Sequence, residues 1–267
     1  MPLFAPRLPI PLVIGYQRVM NDVQPTDRGS VLESRNGLLR VLPRSELERL
    51  APLLHPVDLK PRQILHHSGT PMDQVYFIEK GLVSVSAKSA RDKWVEVWLT
   101  GSEGMTGIPV VLGDDDEPPF RRVVQVSGSA LRISRSDLQR AMDQSSILRS
   151  LLLKYVQVVL LQTSQASVCN ATHDLKQRLS RWLLLARDCL DDDAIPLTHQ
   201  VLSRLLGVRR PSVTQCLGAL DQEGVLRNSR AHVRITDPEK LEAVACDCHR
   251  LIRYEYERLL GMRRNHT

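Results

Sequence analysis

The chain has 267 residues, of which 42% are hydrophobic and 25% are charged. These are the proportions of an ordinary globular protein with a sizeable core, and they exclude collagen-like and wholly disordered chains. No run of about 18 apolar residues occurs, so no transmembrane helix is predicted, and the formal net charge of +6 permits an acidic partner such as nucleic acid without requiring one.

The five cysteines all lie at or beyond Cys169, and their number is odd. This distribution does not suggest a disulfide framework and fits a reducing compartment. We therefore expect a cytoplasmic protein of one or two domains with no membrane partner.

The first 35 residues lack a hydrophobic period and are rich in Pro, Arg, Asp and Ser. Prolines interrupt their apolar stretch and no small-residue cleavage site follows, so a signal peptide is not indicated. We predict a flexible extension over residues 1–35.

Residues 36–144 have the pattern of a small β domain. After a short amphipathic helix, the runs QVYFIEKGLVSVSA, KWVEVWLT and RRVVQVSG are β-branched or alternate with period two. Glycines recur between these runs as turn residues. The pattern predicts an antiparallel β-roll of the cupin or jelly-roll kind, and with the helices that follow it gives an α+β fold class.

A long dimerisation helix is predicted over residues 145–170. One stripe along it steps by four and three, as in a coiled coil, and is predicted to form the interface of a homodimer: Leu148, Leu152, Tyr155, Val159 and Gln162. Leu153, Val156 and Leu160 make a second stripe, so this helix must be covered on two sides. The roll can cover one side and a second copy of the chain the other. A helix buried in a monomer is the alternative.

The segment LTHQVLSRLLGVRRPSVTQCLGALDQEGVL, residues 197–226, predicts two short helices joined by a tight turn. Thr198 can cap the first helix with its hydroxyl oxygen, and Gly207 can adopt the positive φ that ends it. The second helix, residues 209–222, has a proline in its first turn, where proline is tolerated. This is the pattern of a helix-turn-helix, which we place in a domain over residues 171–260.

The outward face of the second helix is rich in hydrogen-bond donors that can reach base edges or phosphates. Between Thr198 and Arg234 there are six arginines against Asp221 and Glu223, so this region is basic enough for salt-dependent phosphate contacts. The run GVLRNSRAHVRIT then predicts a β-hairpin wing that turns at Asn228 and Ser229. A helical hairpin with solvated arginines is the alternative. The predicted DNA-binding residues are Thr198, Arg209, Arg210, Ser212, Thr214, Gln215, Arg227 and Arg230.

A roll, a long helix and a winged helix-turn-helix in this order resemble the Crp/Fnr family of bacterial transcription regulators. The resemblance covers residues 36–260 and is strongest in the helix-turn-helix and in the roll from Gly69 to Gly81. It implies a homodimer that binds two half-sites of a near-palindromic DNA operator. RNA polymerase is a further candidate partner.

Family members place an arginine at the position of Arg210, where it would read a base edge. Pro211 and Gln215 stand where the family often has an acidic and a second basic residue, so the readout is expected to differ. We predict that Arg210 and Gln215 contact bases. The predicted contacts to phosphates or to the margin of a base are Thr198, Arg209 and Ser212.

Members of the family that bind cyclic AMP use a glutamate for the ribose and an arginine for the cyclic phosphate. Here the glutamate position falls near Gly107, in a stretch without an acid, and either Arg121 or Arg122 lies near the arginine position. These two arginines are the candidate effector contacts, and the effector is expected not to be cyclic AMP. A cyclic-nucleotide-responsive regulator is the alternative. The iron–sulfur members need several N-terminal cysteines, which this chain lacks, so no cofactor is predicted.

No catalytic residue and no metal site is predicted. The sequence has no nucleophile–base pair, phosphate loop or zincin motif, which argues against an enzyme. His66 and His67 alternate along a strand and are predicted to be surface histidines. Cys246 and His249 can share a helix face, which leaves metal binding or redox sensing open, although small cysteines packing a helix are favoured. The remaining alternative is a roll that binds a protein partner, with a winged domain that no longer binds DNA.

Overall fold

Antiparallel strands form the N-terminal part of the fold, seen in a computed structural model that describes residues 31–90, 93–113, 117–229 and 232–262. The strands are β1 (His55–Leu59), β2 (Ile64–His66), β3 (Gln74–Lys88), β4 (Trp94–Thr100), β5 (Met105–Thr106) and β6 (Arg121–Ser134). Their order in the sheet is β1-β6-β3-β4, with β2 paired to β6 and β5 paired to β3. The helices of this part are α1 (Gly37–Arg40), α2 (Arg44–Leu50), α3 (Ile108–Leu112) and α4 (Arg135–Gln144). The predicted α+β class and β-roll are confirmed.

The two longest strands, β3 and β6, hold the roll together. Their in-register pair Val75 and Ile133 is fully buried, as expected where β-branched residues alternate along a strand. Two glycines allow the backbones to approach at an irregular point of the ladder. A Cβ on Gly128 would lie 2.1 Å from the carbonyl oxygen of Lys80, and Gly81 adopts a φ of +96°.

The described residues before Asn36 pack against the roll, which the sequence does not predict. Val31 is fully buried in the core of the roll, and the hydroxyl of Ser34 donates a hydrogen bond to the carboxylate of Glu79. Residues 31–35 are therefore packed on the sheet, because the apolar side chains of Val31 and Leu32 contact its core. This corrects their assignment to a flexible extension. The rest of that prediction, residues 1–30, lies outside the described residues.

The long helix, α5 (Ser146–Thr172), has nearly the predicted bounds. Ser145 caps it, since its hydroxyl accepts a hydrogen bond from the backbone N–H of Leu148 at 3.0 Å. Although α5 has 27 residues, no helix in the described part of the chain combines the length and apolar character needed to cross a membrane.

The stripe of α5 predicted to form the dimer interface lies inside the fold of one chain. Tyr155 is fully buried, and its hydroxyl donates to the carbonyl oxygen of Met105 in the roll at 3.1 Å. Gln162 accepts a hydrogen bond from Tyr256 of the last helix, α10 (Cys248–Leu260). The other buried members of the stripe are Leu148, Leu152 and Val159. Side chains enclosed by their own chain cannot contact a second copy, so the assignment of this stripe to a dimer interface is corrected.

A second core belongs to the winged domain. Its helices are α6 (Leu175–Leu190), α7 (His199–Leu205), α8 (Arg210–Gln222) and α9 (Pro238–Val244), and its strands are β7 (Ala194–Ile195), β8 (Leu226–Asn228) and β9 (Val233–Ile235). Trp182 of α6 lies in this core. The strands pair in the order β7-β9-β8, so the predicted two-stranded wing gains a third strand.

The C-terminal segment forms two helices, α9 and α10. The backbone of Ala245 is extended (φ −69°, ψ 160°) and ends α9. The last helix, α10, then packs on α5, and its apolar face joins the core of the roll through Ile252, Tyr256 and Leu260. The predicted domain over residues 171–260 therefore divides, because α10 belongs to the core of the roll.

A buried polar pair also ties α10 to α6. His249 Nε2 lies 2.9 Å from Asp188 Oδ2, and both side chains are only 2% exposed. His249 thus faces α6, which corrects the suggestion that it shares a site with Cys246.

We expect His249→Ala to lower the free energy of unfolding by about 1–3 kcal/mol, because the buried carboxylate of Asp188 loses its contact with the imidazole. Thermal denaturation should show a fall in Tm of roughly 2–4 °C for each kcal/mol. The exposed His232→Ala is the matched control and should leave Tm unchanged. Equal Tm values for the two variants would contradict the structural role of this pair.

Candidate nucleic-acid interface

The unit α7–turn–α8 has the geometry that its sequence predicts. Thr198 caps α7, since its Oγ1 accepts a hydrogen bond from the backbone N–H of Val201 at 3.3 Å. Gly207 has a φ of +67°, and the N–H of Val208 donates to the carbonyl oxygen of Ser203 at 3.0 Å, which closes the turn. The buried faces of both helices lie in one core, which fixes their relative position.

The helix α8 has one buried face and one exposed face. Its fully buried side chains are Val213, Leu217 and Leu220. The predicted DNA-binding side chains lie on the other face, with Arg209, Arg210, Thr214 and Gln215 exposed and Ser212 half-buried. The N-cap, Arg209, makes no side-chain hydrogen bond to the first turn. Pro211 has no N–H, and the N–H of Ser212 donates to the carbonyl oxygen of Arg209 at 3.1 Å, so the exposed side chains of this turn are its main means of contacting a phosphate.

One residue that positions α8 is missing from the sequence-based set. His199, the first residue of α7, lies with Nδ1 2.9 Å from the hydroxyl of Thr214 and with Nε2 2.7 Å from Oδ1 of Asn228. It therefore connects α7, the exposed face of α8 and the first strand of the wing. Its partners are 15 and 29 residues away along the chain, so no local spacing reveals this role.

Asn228 of the wing lies in a strand and not in a turn. Asn228 pairs with Val233 in the β8–β9 ladder, and its N–H donates to Asp221, so it belongs to a strand. The N–H of Ser229 donates to the carbonyl oxygen of His232, and the predicted turn at Asn228 and Ser229 is therefore wrong for Asn228.

The structure describes one of the two predicted DNA contacts of the wing. Arg227 has an exposed side chain and forms an ion pair with Asp221 at 3.3 Å. Arg230 lies outside the described residues.

Two family models match the chain. One is described as a cyclic nucleotide-binding domain and matches residues 56–145, which form the roll. The other is described as a Crp-like helix-turn-helix domain and matches residues 177–244, which hold α7, α8 and the wing. The chain belongs to the Crp/Fnr family of transcription regulators.

Relatives of this Crp/Fnr regulator are themselves described as regulators. The chain is 26% identical to the global nitrogen regulator of Nostoc sp. over 181 residues, 65% of this chain and 81% of the relative. It is 25% identical to the HTH-type transcriptional regulator Cmr of Mycobacterium tuberculosis over 206 residues, 76% of this chain and 82% of the relative. Together with the helix-turn-helix match, these relatives show that the chain is a DNA-binding regulator.

Solved structures share the fold. The structure of FixK2 from Bradyrhizobium japonicum aligns with a TM-score of 0.62 at 14% identity, covering 72% of this chain and 98% of that one. The c-di-GMP responsive global regulator CLP of Xanthomonas campestris aligns with a TM-score of 0.59 at 20% identity, covering 72% of this chain and 99% of that one.

The two candidate effector arginines of the Crp/Fnr regulator lie on opposite faces of β6. The Arg121 guanidinium stacks 4.1 Å from the ring centroid of Trp94. Burial and the nearby charge of Arg204 in α7 lower its pKa. Arg122 is 1% exposed, and its Nη1 donates to the carbonyl oxygen of Phe120 at 2.7 Å. Arg122 thus lies within the roll, whereas Arg121 faces the helix-turn-helix.

A basic groove continues from the helix-turn-helix onto the roll. The groove is lined by Trp94 and by five cationic residues: Lys93, Arg121, Arg204, Arg209 and Arg210. Concentrated positive charge of this kind attracts a polyanion.

His66 is buried, unlike its neighbour His67. Its Nε2 lies 3.4 Å from the hydroxyl of Thr106, and its ring packs edge-on against Tyr76. Burial, followed by the charge of Arg122, lowers the pKa of His66 to about 3. The predicted alternation of the two histidines is confirmed, but the prediction of a surface position is wrong for His66, because this face of β2 points into the roll.

A hydrogen bond joins the roll to the winged domain. Trp182 Nε1 in α6 donates to Glu96 Oε1 in β4 at 2.7 Å. Among the described residues, no partner bonds the second, buried carboxylate oxygen of Glu96. Burial raises the pKa of Glu96 to about 8, although the Trp182 hydrogen bond and the charge of Arg181 act in the opposite direction. This carboxyl is therefore mostly neutral at pH 7.

We expect the contribution of Glu96 to stability to fall as the pH rises from 4.5 to about 8, because the folded chain keeps the Glu96 proton that the unfolded chain loses above pH 4.5. Below pH 6.5 the lowered pKa of His66 gives a slope of the opposite sign, so the effect of Glu96 should be clearest between pH 6.5 and 8. Glu96 contributes a slope of at most about 1.4 kcal/mol per pH unit. Glu96→Gln keeps an acceptor for Trp182 and should remove this slope, so the Tm of the variant should exceed that of the unchanged chain at pH 8. The exposed Glu48→Gln is the control. The same pH dependence of Tm in all three proteins would contradict this account.

Proposed function

We propose that the protein is a cytoplasmic homodimer that binds a near-palindromic operator by placing α8 in the major groove of each half-site. The observation that supports this proposal most is the division of α8 into a buried apolar face and an exposed, donor-rich N-terminal face. Helices of this kind lie in the major groove with their N-terminal residues toward base edges, and a dimer places two of them about 34 Å apart.

The second copy would cover the exposed stripe of α5. This stripe is uncharged and repeats with coiled-coil spacing, and its members are Ser150, Leu153, Gln157, Leu160, Ser164, Ser167 and Ala171. Leu153 is 44% exposed and Leu160 is 64% exposed, and covering aliphatic surface stabilises an association. Val156 is partly buried against the protein's own core, so Leu153 and Leu160 supply the apolar contact.

The side chains at the start of α8 would divide into base and phosphate contacts. The guanidinium of Arg210 can bind guanine O6 and N7 together, and the amide of Gln215 can bind adenine N6 and N7. The proposed contacts that set the register on the phosphates are Thr198, Arg209, Ser212, Arg227 and Arg230. Thr214 would hold α8 in position through His199 and contact DNA with its remaining hydrogen-bond capacity.

The roll would sense a small ligand other than cyclic AMP. A Cβ on Gly107 would lie 2.7 Å from the side chain of Val75, so the family's ribose-binding glutamate has no space at that position. A cyclic-nucleotide-responsive regulator is the second candidate, favoured by the buried Arg122 and by the family model matched to the roll. Isothermal titration with cyclic AMP and cyclic GMP separates these candidates. Saturable heat would support the second, and no heat at millimolar ligand would exclude it.

Selection of genomic DNA fragments by the purified protein at about 150 mM salt, followed by footprinting, tests the proposed function. We expect a protected near-palindrome in the recovered fragments. Unrelated fragments with no shared sequence, obtained with and without a cell-extract ligand pool, would contradict sequence-specific binding.

A further inference from the structure

Three cysteines and a histidine from two distant parts of the chain meet at the end of the long helix. Cys169 lies in the last turn of α5, and His173 is the C-cap of that helix. Cys246 and Cys248 come from the segment between α9 and the start of α10. One ligand atom from each residue, three sulfurs and an imidazole nitrogen, lies within 4.8 Å of all the others. The three cysteines are buried and the histidine is half-buried, so the cluster is largely shielded from solvent.

The distances in the cluster fit a tetrahedral metal ion. The sulfurs of Cys169 and Cys246 are 3.5 Å apart, and Nδ1 of His173 is 3.8 Å from the sulfur of Cys248. Zinc binds thiolate at about 2.3 Å and imidazole at about 2.0–2.1 Å, so two ligand atoms around a tetrahedral zinc ion lie roughly 3.5–3.8 Å apart. These two separations match a tetrahedral zinc site, and no pair of the four ligand atoms is more than 4.8 Å apart.

The polar groups around the cluster suit thiolate ligands. Gln165 Nε2 donates a hydrogen bond to the sulfur of Cys248 at 3.1 Å. The guanidinium of Arg181, only 6% exposed, is close enough to Cys169 to interact with it electrostatically. Three thiolates and one dication carry a net charge of −1, and an amide donor and a buried cation are neighbours that stabilise such a site.

We propose that Cys169, His173, Cys246 and Cys248 bind one zinc ion in a closed structural site. Three thiolates and one imidazole form a donor set that zinc prefers, and four protein ligands leave no open position for catalysis. Binding replaces three S–H bonds by three zinc–sulfur bonds and releases three protons to solvent, while the neutral imidazole donates its lone pair.

The position of the site suggests what the ion does. Its ligands connect the C-terminal end of α5 with the segment where α9 ends and α10 begins. The winged domain starts at α6, immediately after His173. A zinc ion here would fasten α10 to the long helix at the junction of the two domains, and this inference does not depend on DNA binding.

The test measures zinc in the full chain, produced without a histidine tag in zinc-supplemented medium and desalted under reducing conditions. We expect about one zinc ion per chain by elemental analysis. Cys246→Ser and His173→Ala should lose most of this zinc. The matched controls, Cys216→Ser and His232→Ala, change the same residue types outside the cluster and should keep it. Chelation of the unchanged protein should release the zinc and lower Tm.

Cobalt replacement keeps the proposal testable if the cluster variants fail to fold. Stripped protein titrated with Co²⁺ should show the visible bands of a tetrahedral site and sulfur-to-cobalt charge transfer, saturating at about one ion per chain. No zinc and no cobalt uptake would overturn the proposal. Iron with inorganic sulfide in air-free preparations, or a Cys169–Cys246 disulfide in freshly isolated protein, would overturn it in favour of redox chemistry.

Discussion

A chain that carries both Leu153→Glu and Leu160→Glu is expected to be a monomer and to bind its operator roughly 10²–10⁴-fold more weakly than the unchanged dimer. Both leucines are exposed on the uncharged stripe of α5. In a dimer, the substitutions would bring like charges together where the two α5 helices pack. The resulting monomer would bind only one half-site of the operator. Sedimentation velocity measures the mass, and fluorescence anisotropy on the recovered operator measures the affinity.

The matched control is Leu251→Glu in α10, because Leu251 is 44% exposed, as is Leu153. This variant should stay dimeric and keep its affinity for DNA. A dimer that persists in the double variant, or equal loss in the control, would show that the stripe of α5 is not the interface.

Arg210→Ala is expected to weaken binding to the operator by about 1–3 kcal/mol per half-site and to relax specificity at one base position. The guanidinium of Arg210 is exposed at the first position of α8, where a base edge would come within reach. Affinities for operators substituted at each position, compared between the two proteins, locate the base that this side chain reads.

Arg209→Ala is the matched control for base reading, since Arg209 is the adjacent N-cap residue. If Arg209 contacts a phosphate, this variant should lose affinity equally on every sequence. It should also lower the slope of log affinity against log salt concentration by about one for each half-site, or about two for the dimer. If Arg210→Ala also lost affinity equally on all DNA sequences, the role of Arg210 as a base reader would be contradicted.

The helix-turn-helix could be predicted from the sequence because its determinants are local. A capping threonine, a glycine at the turn and apolar residues at helical spacing fix two short helices, and the residues between the apolar positions then have to face outward. Arg210 and Gln215 are exposed for this reason. The position of His199 depends on contacts with a second helix and a strand, and only the folded chain brings these together.

The dimer stripe shows where periodicity is ambiguous. Two apolar stripes on α5 predict that the helix is covered on two sides. They do not tell which stripe packs against the chain itself and which packs against a second copy. The structure resolves this because Tyr155 bonds to the roll and Gln162 bonds to α10, which leaves Leu153 and Leu160 outside. The return of α10 onto α5 is a long-range contact with no counterpart in local spacing.

The cysteine cluster also depends on contacts between distant parts of the chain. Cys246 and Cys248 suggest a site on their own, yet their partners Cys169 and His173 lie more than 70 residues earlier in the chain. The sequence offered His249 as the nearest histidine, whereas its ring is held by Asp188 in α6. Ligands brought together by tertiary packing cannot be read from one segment.

Methylation interference on the recovered operator tests the central claim most directly, because methylation at guanine N7 blocks contacts in the major groove. We expect two blocks of interfering guanines, related by the palindrome and centred about 10–10.5 base pairs apart, as two α8 helices of a dimer require. A single block would contradict the dimer, and binding that is indifferent to N7 methylation would contradict major-groove reading by α8.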